Sequence, residues 1–62
     1  MANFNRTVQE LLDDLEDRNS NLATTYSECL YASFIAWQRT RSRRAKKLLE
    51  HEIEITRDYL GY

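Results

Sequence analysis

The 62-residue chain contains no proline, and its one glycine is Gly61, next to the end. No strong helix breaker therefore interrupts the chain before that position. Leucine, glutamate, arginine, lysine and alanine are abundant, and they favour helix over strand. The sequence predicts an all-α protein. With no linker-like segment and no internal repeat, we expect residues 1–62 to form one domain.

Cysteine is also scarce, because Cys29 stands alone and no disulfide can form within the chain. We expect Cys29 to be a small buried apolar residue rather than a nucleophile. The longest strongly apolar run, residues 29–37, contains Ser33 and is far shorter than the roughly 20 residues that cross a bilayer. Residues 1–5 lack the cationic and apolar segments of a secretory signal. These features predict a cytoplasmic protein.

No catalytic, metal or cofactor site is predicted. The chain has no glycine-rich phosphate loop, and His51 has no nucleophile or orienting group at a recognisable spacing. His51, Glu54 and Asp58 share one helical side, but such a set is more often a solvated surface than a metal site. A short helical hairpin also offers little concave space for a substrate. We expect a protein that is not an enzyme.

Apolar residues recur at helical spacing near the start of the chain, which predicts a first helix over about residues 4–17. The polar segment at residues 18–21, Arg-Asn-Ser-Asn, predicts a turn. From Leu22 onward the apolar stripe keeps its phase across the rest of the chain. It predicts one long helix over about residues 22–60, folded against the first as a hairpin, with two helices that break near Thr40 to Arg43 as the alternative.

A short first helix cannot cover a long second one, so the C-terminal part of the apolar stripe would be exposed. A chain of this length also buries too little surface for a secure core, and self-association is a common remedy. We therefore expect a homodimer, most simply a helical bundle, whose orientation the sequence leaves open. Its predicted interface consists of Leu48, Leu49, Ile55 and Tyr59.

Charge is sorted along the chain rather than spread. Residues 1–38 carry six acids and two arginines, and residues 48–62 carry four acids and one arginine. Residues 39–47 carry six cations and no acid. These are Arg39, Arg41, Arg43, Arg44, Lys46 and Lys47. In a continuous helix Arg41 and Arg44 would lie on or beside the apolar seam, where a desolvated cation needs an anionic partner.

Three interpretations of this basic segment are open. It is a solvated helix face paired with acids such as Glu50 and Glu54, a docking site for a larger protein with an acidic surface, or a phosphate-binding site of a nucleic-acid regulator. We favour the protein partner, with Tyr31, Ile35 and Trp37 as apolar anchors. Membrane binding is disfavoured, because the acidic parts of the chain would face anionic lipid.

Overall fold

A computed structural model describes residues 4–62 as three α-helices. Helix α1 spans Phe4–Arg18, α2 spans Asn21–Thr40 and α3 spans Arg43–Leu60. No strand occurs in that part of the chain. The all-α class is confirmed and α1 agrees with its predicted bounds, but the long second helix is wrong. The helix is interrupted at residues 41 and 42, within the interval from Thr40 to Arg43 that was the predicted alternative.

The three helices run alternately up and down. The start of α1 lies beside the end of α2, where Phe4 and Trp37 pack edge to face with ring centroids 5.7 Å apart. At the other end, Arg18 donates to the backbone carbonyl of Leu60 at 3.0 Å, so α1 and α3 finish together. Described residues extend over 31 × 19 × 15 Å. Because α1 and α3 point the same way, the α2–α3 corner and the α1–α2 corner occupy opposite ends.

Each inter-helix connection has two residues and uses the same two devices. Asn19 and Arg41 have positive φ angles, 48° and 52°, which end the preceding helices. Ser20 and Ser42 then cap the next helices, because their hydroxyls accept hydrogen bonds from the backbone amides three residues on, both at 3.1 Å. Serine at this position satisfies a backbone donor that the helix itself leaves free.

The core forms where the three helices meet. Its buried apolar side chains come from all three: Val8, Leu11 and Leu15, then Ala23 and Leu30, then Ala45, Leu49 and Ile53. Leu30 and Leu49 are fully inaccessible to solvent, and each contributes roughly 1.5–3 kcal/mol by leaving water. Folding of α3 back onto α1 and α2 therefore completes the core within one chain.

This closure removes the exposed stripe that predicted a dimer. Leu49 belongs to the core, Ile55 and Tyr59 are half-buried, and only Leu48 of those four residues is exposed. Tyr59 stacks on Tyr26 of α2 with ring centroids 4.4 Å apart. Packing of α3 within one chain thus covers Leu49 fully and Ile55 and Tyr59 in part, so the predicted interface offers less apolar surface to a second copy than a straight helix would.

Thr56 carries the one buried polar side-chain atom among the described residues that has no hydrogen-bond partner. Its side chain is fully buried, and its hydroxyl has no hydrogen bond within residues 4–62. Burying a hydroxyl without a partner destabilises a fold, whereas an apolar group of the same shape does not.

Replacing Thr56 with valine removes this buried hydroxyl with almost no change in shape. We expect Thr56→Val to raise the free energy of unfolding by about 1 kcal/mol, measured by urea denaturation followed by circular dichroism. Thr24→Val, at an exposed position of α2, is the matched control and should change it by less than about 0.5 kcal/mol. A less stable Thr56→Val protein would contradict the assignment.

The cap at Ser42 gives a second prediction. Ser42→Ala removes the side-chain acceptor and should lower the free energy of unfolding by about 1 kcal/mol. Ser42→Asp retains an acceptor and should leave the protein at least as stable as the original. The two variants are compared in the same denaturant series. Equal losses in both would show that the hydroxyl does not hold the start of α3.

Candidate partner-binding surface

The six cations of residues 39–47 lie where α2 ends and α3 begins, and we call this surface the basic corner. Arg39 is in the last turn of α2, Arg41 is in the connection, and Arg43, Arg44, Lys46 and Lys47 are in the first turns of α3. All six are exposed. The sequence placed them along one straight helix, but the chain reversal instead gathers them around two helix ends.

Arg41 and Arg44 are consequently not on an apolar seam. Arg41 leaves the helix in a left-handed conformation, and its guanidinium lies over the ring of Trp37, 5.3 Å from the centroid. A left-handed conformation disfavours a residue with a side chain by about 1–2 kcal/mol, and this cation–π contact offsets part of that. Arg44 is exposed in the first turn of α3. Neither cation needs a buried acid.

The basic side chains have no ionic partners in the described part of the chain. Within residues 4–62, no carboxylate lies within 4.0 Å of any of the six cations, and the salt bridge present there joins Arg6 and Glu10 at 3.2 Å. Glu50 and Glu54, the acids expected to neutralise the corner, follow on α3 but do not reach it. The corner therefore presents six unneutralised charges to solvent.

Helix geometry adds to this positive potential. The first backbone amides of a helix carry partial positive charge, and α3 has no acidic residue in its first turn. Arg43 and Arg44 thus sit at a helix end that disfavours cations, while Arg39 at the end of α2 is favourably placed. Four of the six cations are held at the positive end of α3 at some expense in stability.

The three predicted apolar anchors lie differently relative to the basic corner. Trp37 is half-buried against Phe4 and beneath Arg41, so it supports the corner rather than projecting from it. Tyr31 lines a groove between α1 and α2 together with Asp13 and Glu28, beside acids instead of cations. Ile35 is half-buried on the outward side of α2, one helical turn before Arg39.

Leu48 is an exposed apolar residue beside the cations. It lies one helical turn after Arg44, and its side chain is 50% exposed. The apolar stripe predicted Leu48 as part of a dimer contact instead. The spacing of four residues from Arg44 placed Leu48 on the same helical side as that cation. The spacing could not show that Leu48 is exposed, because this depends on α3 burying the side that carries Leu49.

Other candidate sites have simple outcomes. Cys29 is exposed rather than buried, because it lies on the outer half of α2. Within residues 4–62, no three histidine, cysteine or carboxylate side chains are grouped closely enough to hold a metal ion. None of the helices described is both long and apolar enough to span a bilayer.

Comparison with protein families, with curated proteins and with solved structures gives no match to this chain.

Reversing one cation at the start of α3 should stabilise the protein. Arg44→Glu relieves repulsion within the basic corner and places an anion at the positive helix end, so the free energy of unfolding should rise by about 0.3–1 kcal/mol. Arg57→Glu makes the same change in the last turn of α3 and should lower it, because the dipole has the opposite sign there. Both are measured by chemical denaturation at low salt. Stabilisation by both, or by neither, would contradict this electrostatic description.

Proposed function

We propose that the chain is a small non-enzymatic adaptor or regulator that docks through its basic corner on an acidic surface of a larger protein. The observation that carries the proposal is the set of six exposed cations without ionic partners. A solvated face of paired charges is the alternative, and its pairs with Glu50 and Glu54 are not formed. The charges are instead gathered at one end, where they attract an anionic surface before contact.

Stability supports the same interpretation. Cations at the start of α3 oppose the helix dipole and repel one another, so selection for folding alone would favour acids there. Residues kept at a site where they weaken the fold are a recurrent property of functional surfaces. The four cations at the start of α3 fit this description. Arg39, at the favourable end of α2, enlarges the same basic surface.

The exposed Leu48 favours a protein over a nucleic acid as the partner. Arginine beside an apolar side chain suits an amphipathic acidic surface, on which the arginine pairs with a carboxylate and the leucine enters an apolar pocket. Phosphate backbones offer no such pocket, and their binding depends mainly on the number of cations. The whole chain has a net charge of −1, so the acidic residues outside the basic corner also oppose extended contact with a polyanion.

Affinity capture from cells of the source organism tests the proposal. The original chain should retain a protein after nuclease treatment, and Arg43→Glu with Lys46→Glu should lose it by about tenfold or more, because both substitutions create like-charge contacts. Leu48→Ala should also weaken capture. The doubly substituted control Glu50→Gln with Glu54→Gln removes nearby charges without touching the basic corner, and it should capture normally.

Two results would overturn this function. If nuclease removes every retained protein and the purified chain binds duplex DNA or RNA with a log–log salt slope of about −4 to −5, the partner is nucleic acid. If charge reversal at Arg43 and Lys46 changes no interaction, the basic corner is only a solvated surface.

A further inference from the structure

Helix α2 differs from its neighbours in how little charge it carries. Two of its twenty residues are charged, Glu28 and Arg39, compared with seven of fifteen in α1 and nine of eighteen in α3. All three helices have an outward side in this bundle, so burial does not explain the difference. The outward side of α2 is a surface with apolar and small side chains where a solvated helix would carry charges.

The two charged residues of α2 lie on that outward side. They are eleven residues apart, which is close to three full turns, so both project in nearly the same direction about 16 Å apart along the axis. Both are exposed, and neither has an ionic partner within residues 4–62. Between them the same side carries Tyr31, Ala32, Ile35 and Ala36, of which Tyr31 is 55% exposed.

The charge pattern of this side is complementary to that of a second α2 that runs in the opposite direction. We propose that a second copy of the chain packs its α2 antiparallel against this side, related by a two-fold axis that passes between positions 33 and 34. Glu28 of each copy then faces Arg39 of the other, which forms the ion pair twice. Around this axis Tyr31 lies opposite Ala36 of the second copy, and Ala32 lies opposite Ile35, so that a small alanine side chain in each pair lets the helices approach closely.

Charge selects this occupant and this orientation. A parallel pair would set Glu28 against Glu28 and Arg39 against Arg39, and like charges in contact oppose association. In the antiparallel pair, Arg39 of the second copy also meets the groove between α1 and α2, whose lining includes Asp13, Glu16 and Glu28. The acidic groove of one copy thus faces Arg39 of the other.

The contact spans about three turns of one helix in each copy, less than a standard protein interface. Association should therefore be weak and visible only at high concentration. It also differs from the stripe of Leu48, Leu49, Ile55 and Tyr59 that the sequence predicted, and it does not depend on the docking function proposed above. Arg39 belongs to both proposed interfaces, but self-association can be measured on the purified chain without another partner.

Sedimentation equilibrium of the purified chain at about 10 μM to 1 mM tests the dimer. The mass should rise with concentration from 7.4 kDa towards twice that value. Glu28→Arg alone and Arg39→Glu alone should each weaken association by about tenfold or more, because each creates two like-charge contacts. Their combination should restore association to within about threefold of the original, since it exchanges the partners of both ion pairs.

Restoration by the double variant cannot come from within one chain, because the two positions lie about 16 Å apart on one helix. Glu54→Arg and Lys47→Glu make the same charge changes on α3 and should leave association unchanged. Ala32→Arg, at the centre of the contact, should abolish it, while circular dichroism shows that helix content is retained. A mass that stays at 7.4 kDa to 1 mM, a double variant that is no better than the single ones, or an unaffected Ala32→Arg protein would overturn the proposal.

Discussion

Ser42 accepts a hydrogen bond from the amide of Ala45 while Arg41 holds a left-handed conformation, and together they turn α3 back along α2. A continuous helix would leave the side that carries Leu49 and Ile53 in water. The reversal buries that side against α1 and α2, supplying a third of the bundle and the apolar surface that a chain of this size needs. The same reversal gathers cations from both sides of residue 42, so core and charged surface share one structural cause.

Local chemistry made much of the fold predictable. The spacing of Phe4, Val8, Leu11 and Leu15 indicated α1, and the polar side chains around Asn19 indicated its end, because their interactions lie within a few residues. The break at Arg41 was harder to choose, since no glycine or proline is present and the apolar stripe keeps its phase on both sides. Periodicity shows which side of a helix is apolar, but it cannot show what covers that side. Periodicity therefore could not predict that α3 packs back onto α1 and α2.

The surface was predictable in composition but not in arrangement. Sequence alone predicted that the cations would be grouped, because they are neighbours in the chain. It could not show that Trp37 packs on Phe4, because Phe4 begins α1 and Trp37 lies near the end of α2, far away in the sequence. Nor could it separate Tyr31 from the basic corner, because a helix of this length carries residues close in sequence to different surroundings. The sparse charge of α2 was visible beforehand, but its meaning depends on knowing which side faces outward.

The two-residue connections also bear on how fast the chain folds. Each helix packs on its neighbour in sequence, so the loops that must close to form these contacts are short and little chain entropy opposes them. Small helical domains with mostly local contacts fold in microseconds to milliseconds. Unfolded intervals should accordingly be brief even if the core is only modestly stable, which limits the time during which proteases or other unfolded chains can reach the apolar segments of α2 and α3.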